Sequence, residues 1–239
     1  MSGRKQNISI TETCPPKNRV VSEGQVGGQT LLWITENNLT DTNQVGNRLL
    51  ELMVSPGNLN KAYLQVKRNK GAPGIDKMEV ESLRDYLVLH QDELISSILT
   101  GIYRPDPVRR VLIPKDNGQR KLGIPTVVDR VIQQAICQVL TPMYEPQFSD
   151  HSYGFRPRRS AHDALRKCQK YITDGYRYAV DLDLEKFFDT VHHSKLMEVL
   201  WGTIKDGRVL SLIHRYLNAG VRIGSKTQPS ESGVPQVGL

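Results

Sequence analysis

Three aspartates, Asp181, Asp183 and Asp189, fall in YAVDLDLEKFFDTV (residues 178–191), a stretch otherwise rich in apolar and aromatic residues. If its first half is a strand, side chains alternate between two faces. Tyr178, Val180, Leu182 and Leu184 then point one way, and Ala179, Asp181 and Asp183 the other. Two carboxylates on one face repel each other unless positive charge lies near them. A magnesium ion would supply that charge, since it prefers carboxylate oxygen and substrate phosphate. Pairing of each acid with a nearby arginine or lysine on an open face would also do so. The residues by themselves leave both chemistries open.

The remainder of the chain narrows what those acids could meet. Its 239 residues allow one large domain or two small ones, and 38% are hydrophobic, enough for a core. Lysine and arginine number 32 against 25 acids, a net charge of +7. That balance suits a polyanionic partner, nucleic acid above all. Cys14, Cys137 and Cys168 show no C-x-x-C spacing, which argues against zinc and against a disulfide framework. Cys137 and Cys168 fall on apolar faces of predicted helices and read as core residues. No apolar run is long enough to span a membrane, and the N-terminus lacks the apolar stretch of a signal peptide, so a cytoplasmic protein with no membrane partner is expected.

The elements that must position the acids can be read in order. Residues 1–46, rich in Gly, Asn, Thr, Gln and Ser, read as a flexible segment, with LLWI (residues 31–34) as a docking patch within it. A helix is expected in NLNKAYLQVKRNKGAPGID, broken by Gly71, Pro73 and Gly74. One or two more follow in VESLRDYLVLHQDELISSILTGIY. PVRRVLIPKDNGQRKLGIP reads as a β-hairpin with arms Val108–Pro114 and Gln119–Ile124 and an Asn117-Gly118 turn. Thr126 and Asp129 make a capping pattern before a helix whose apolar face carries Val128, Val131, Ile132, Ala135, Ile136 and Val139. Ser160 and Asp163 cap the next helix, with Ala161, Ala164, Leu165, Cys168 and Ile172 as its apolar stripe. The coarse pattern is α+β, with helices packed on a small antiparallel sheet that includes the hairpin.

Five segments, in this order, resemble those of right-hand polymerases in the form seen in group II intron-encoded reverse transcriptase/maturase proteins. NKGAPGIDKM resembles the N-terminal extension motif, and YRPDPVRRVLIPKDNGQRKLGIPTVVDRVIQQAI the fingers motif. FSDHSYGFRPRRSAHDAL resembles the motif that follows. DLEKFFDTVHH resembles motif A, and GVPQVGL the start of motif B. Any one motif would be weak, whereas the ordered set is specific. The resemblance covers residues 48–239. It implies a helical extension of the fingers over 47–105, fingers over 106–176 and an incomplete palm over 177–239. It also implies that Asp183, with the Leu184 carbonyl, ligates two magnesium ions that activate a primer hydroxyl. Lys115 and Arg120 would clamp the nucleotide triphosphate. Phe188 would be the ring that excludes a ribose hydroxyl, and Gln236 would lie beside the incoming nucleotide. Arg156, Arg158 and Arg159 would meet RNA, or else serve the fold. The implied partners are group II intron RNA, an RNA template with a DNA primer, and deoxynucleoside triphosphates, with a homodimer left open.

The pattern departs from the family in two places. Val237-Gly238 stands where Gly-Gly is usual, and no Tyr-x-Asp-Asp follows. The expectation is therefore a natural or expressed fragment, or a decayed copy, that does not polymerise alone. Two functions stay in view: an RNA-directed DNA polymerase, and an RNA-binding splicing cofactor without polymerase activity. A viral-type RNA-directed RNA polymerase is disfavoured by Phe188 at the gate position.

Overall fold

Tertiary burial more than propensity forms the helices of the core. The computed structural model describes residues 48–115 and 118–235, so the flexible-segment reading of residues 1–46 lies outside the described residues. Helix α1 (Leu49–Met53) is one short turn whose Leu49, Leu50 and Met53 are buried. Helix α2 (Pro56–Asn69) starts with proline at a position where its missing N–H costs nothing. A 3-10 turn at Val80–Ser82 leads into α3 (Leu83–Leu99). Helix α4 (Val127–Tyr144) buries Val127, Val128, Val131, Ile132, Ala135 and Ile136, close to the apolar face expected from its spacing. With α8 (Gly207–Leu217) these helices enclose the core.

Strands β1 (Val108–Lys115) and β2 (Gly118–Ile124) form the expected hairpin, closing at the Lys115–Gly118 pair. Two short strands, β3 (Val221–Ile223) and β4 (Lys226–Gln228), extend it in the order β2-β1-β3-β4. The β1–β3 pairing is parallel, so the sheet is mixed rather than antiparallel. A parallel neighbour needs a long crossover, and here the helices between Val127 and Leu217 supply it.

Both capping patterns are realised. Asp129 N–H donates to Thr126 Oγ1 at 3.2 Å, and the Thr126 hydroxyl donates back to Asp129 Oδ2 at 2.7 Å. Asp129 is fully buried and also accepts from the Tyr103 hydroxyl at 2.7 Å. Burial raises its pKa above the ordinary carboxylate value despite these bonds. Ser160 and Asp163 form a reciprocal capping box at the start of α5 (Ala161–Thr173). Helix α5 buries none of its residues, and Cys137 and Cys168 are both exposed rather than in the core. Cys137 lies beyond the buried face of α4, and no described element covers the apolar stripe of α5.

Candidate functional site

The stretch around the acids differs most from expectation. Residues 177–184 carry neither helix nor strand. Tyr178, Val180 and Leu182 are 97%, 84% and 88% exposed, and Ala179, Asp181 and Asp183 are exposed too, so both faces of the segment meet solvent. A strand needs a hydrogen-bonding neighbour and a covered face. Among the described residues nothing provides either, so alternation alone did not make a strand. Asp183 is exposed, and its Oδ1 accepts from the Leu184 N–H at 2.9 Å. The Leu184 carbonyl accepts from the Phe187 N–H.

Order returns at helix α6 (Phe187–Thr190), which Lys186 starts in the left-handed region at φ 49°. Phe187 and Phe188 are half exposed and meet edge to face, with ring centroids 5.7 Å apart. The chain turns at Val191 into α7 (His193–Thr203). Against this bend lies the segment Gly233–Pro235. Gly233 N–H donates to the Val191 carbonyl at 2.8 Å, and Val234 N–H to the Phe188 carbonyl at 2.7 Å. His193 Nε2 donates to the Gly233 carbonyl at 2.7 Å. Only glycine fits there: φ is 79°, and a Cβ would lie 2.8 Å from the Asp189 carbonyl oxygen.

The bend and this segment form one wall of a small cleft of about 70 Å³, and the β1–β2 hairpin forms another. Arg110 and Lys121 line it from the hairpin, Asp189 from α6, and Ser230 and Ser232 from the approach to Gly233. Directly opposed residues of an antiparallel pair share a face. The register pairs Arg110 with Gly123 and Leu112 with Lys121, and these face the cleft side. Arg120 pairs with Ile113 and therefore lies on the opposite face, with Arg109 and Val111. The hairpin thus presents Arg110 and Lys121 to the cleft and Arg120 to its other face. Asp189, not Asp183, is the acid in the cleft. Lys115 pairs with Gly118 through its backbone, and the expectations for its side chain and for Gln236 lie outside the described residues.

The three arginines expected at RNA do not form one surface. The Arg156 guanidinium bonds Glu145 Oε1 at 2.8 Å and the Ser149 and Ser152 carbonyls, and its side chain is only 7% exposed. Arg159 bonds Asp150 and lies over the Tyr153 ring. Both tie down the loop before α5. Arg158, held at φ 58° by the turn between them, is exposed.

Magnesium takes near-octahedral oxygen ligands, usually one or two carboxylates with substrate phosphates. Among the described residues no group of three or more His, Cys, Asp or Glu side chains could hold a metal ion. Asp183 and the Leu184 carbonyl do not by themselves fit a two-magnesium centre.

Sequence reasoning missed Arg110, Lys121, His193 and Gly233. Period-two alternation counted outward from the closing turn would have placed Arg110 and Lys121 on one face. Nothing local signals the His193–Gly233 contact.

The fold is similar, with a TM-score of 0.52 and 20% identity, to a chain of the "Partial Cas6-RT-Cas1--Cas2 complex", over 79% of this chain and 31% of that one. At that identity the likeness concerns the fold alone. A family model described as "Reverse transcriptase (RNA-dependent DNA polymerase)" matches residues 113–238, more than half of the chain. The chain belongs to this reverse transcriptase family. The resemblance to the group II intron-encoded branch, read from the motifs, holds as well. The chain is 35% identical over 210 residues to group II intron-encoded protein LtrA of Lactococcus lactis subsp. cremoris, covering 86% of this chain and 34% of that protein. It is 40% identical over 200 residues to protein YkfC of Escherichia coli (strain K12), covering 80% of this chain and 52% of YkfC. It therefore spans about half the length of YkfC and a third of LtrA.

Proposed function

We propose that this chain is the fingers and the start of the palm of an RNA-directed DNA polymerase/maturase that binds intron RNA, aids its splicing and copies RNA into DNA. Residues 47–105 form the helical extension of the fingers, 106–176 the fingers and 177–239 the partial palm. The carrying observation is the docking of Gly233–Pro235 on the Phe188–Val191 bend, beside the hairpin cations. It joins three motifs, far apart in sequence, around one cleft. Phe188 is the ring that screens the sugar. The partners are intron RNA, a template–primer and deoxynucleoside triphosphates.

The exposed, unpaired Asp183 segment supports a second statement. The 239-residue chain does not extend a primer alone. The formed helical core and hairpin favour RNA binding as the activity this chain retains, as in a splicing cofactor without polymerase activity.

The test is a chimera in which these residues replace the matching segment of LtrA, assayed for primer extension on RNA. Extension that is abolished by Asp183→Asn is expected. A folded chimera whose extension survives Asp183→Asn overturns the assignment.

A further inference from the structure

We infer that His193 is a positioning residue that ties the Gly233–Pro235 segment to the helical core and so sets its place against Phe188 and the hairpin. The imidazole is buried, with the residue 7% exposed, and its Nε2 lies 2.7 Å from the Gly233 carbonyl. A carbonyl only accepts, so Nε2 carries the proton. An imidazole protonated at Nε2 donates whether the ring is neutral or charged.

Position explains why this bond matters. Helix α6 has only four residues, none of them buried. The two backbone bonds from Gly233 and Val234 therefore end on a bend that is itself poorly anchored. His193 opens α7, whose Met197 and Leu200 pack against the core. Its ring is the side-chain link, among the described residues, between the segment and a core-anchored helix. On the far side, Pro235 approaches β2 so closely that a Cβ on Gly123 would lie 2.9 Å from its own Cβ. A segment held by His193 on one side and seated at Gly123 on the other fixes the hairpin relative to Phe188.

The consequence for nucleotide use rests on the polymerase reading, but the tether does not. Amide hydrogen exchange on the 239-residue chain reads the tether directly in His193→Leu, His193→Asn and His193→Gln. Leucine removes the donor with little change in bulk, asparagine is too short to reach, and glutamine keeps a donor at similar reach. Exchange at the Gly233 and Val234 amides should rise about tenfold or more in the Leu and Asn variants, since a buried acceptor loses its partner. Glutamine should restore it, and the α4 amides should not change. Equal exchange in all proteins, or a rise spread evenly through α4, overturns the inference. If His193→Leu fails to fold, the Asn–Gln comparison decides. In the LtrA chimera the nucleotide KM should rise in His193→Asn and recover in His193→Gln. Raised exchange with an unchanged KM overturns the role in nucleotide use and leaves the polymerase reading intact.

Discussion

Replacing Gly74 by alanine should destabilise the chain by about 2–3 kcal/mol, as overpacking at a rigid contact does. A Cβ there would lie 2.6 Å from Thr126 Cα, 2.8 Å from Thr126 N and 3.0 Å from the Pro125 carbonyl carbon. Carbon atoms prefer separations of about 3.5–4.0 Å, and all three neighbours are backbone atoms at the start of α4, so none can rotate away. The loop could retreat instead. Retreat would stretch the bonds from Arg130 to the Ala72 carbonyl at 2.8 Å and from Arg109 to the Pro73 carbonyl at 3.0 Å. Hydrogen bonds from charged donors contribute about 1.5–3 kcal/mol each, so leaving costs at least as much as bearing the strain. Gly57 is the control: it lies exposed in the first turn of α2, where an added Cβ meets nothing within 4 Å. Gly57→Ala should stabilise by about 0.5–1 kcal/mol. Urea denaturation followed by circular dichroism measures both. With a slope of roughly 2 kcal/mol/M, the Gly74→Ala midpoint should fall by about 1 M. A Gly74→Ala midpoint at or above wild type would refute the close docking of this loop on α4.

Other outcomes follow from the same geometry. Burial raises the Asp129 pKa, so the unfolded carboxyl ionises first as pH increases. Stability from this group therefore falls as pH rises through the folded value, and Asp129→Asn should remove that slope from a pH series of urea midpoints. Glu51 is lowered by its hydrogen bond from Arg208, and Asp206 is lowered because bonds from Arg208 and backbone amides outweigh its burial. Their contribution is full above the ordinary carboxylate value and lost as pH falls through the folded values, so Arg208→Met should flatten the acid limb. Arg156→Ala should lower stability by about 1–3 kcal/mol through its buried bonds, whereas Arg158→Ala should leave stability unchanged and reduce the salt slope of RNA binding by about 1. Equal effects of the two would refute their separation. In the LtrA chimera, Phe188→Val should raise ribonucleotide use relative to deoxynucleotide use. The half-exposed ring should cost less than the roughly 3–5 kcal/mol of a buried Phe→Ala change. An unchanged incorporation ratio removes Phe188 from the gate.

What the sequence disclosed was local. The face of α4, both capping patterns and the hairpin each depend on residues within a few positions of one another, and all three formed. The strand expected at 178–184 depends on a distant partner, and alternation does not specify one. The stripe of α5 has the right period but no cover, because amphipathicity specifies a face and not its occupant. For Arg156 the sequence left RNA contact and a role in the fold both open, and the distant Glu145 with two carbonyls gives it the second. The His193–Gly233 bond spans 40 residues, a separation at which no local pattern points to a partner.

Binding of the 239-residue chain to structured RNA across a salt series tests most directly whether it is the nucleic-acid-gripping part of a reverse transcriptase. With about four phosphates neutralised, affinity should fall roughly a hundredfold between 50 and 200 mM salt. Affinity unchanged over that range, or no binding at low salt by a folded chain, would contradict it.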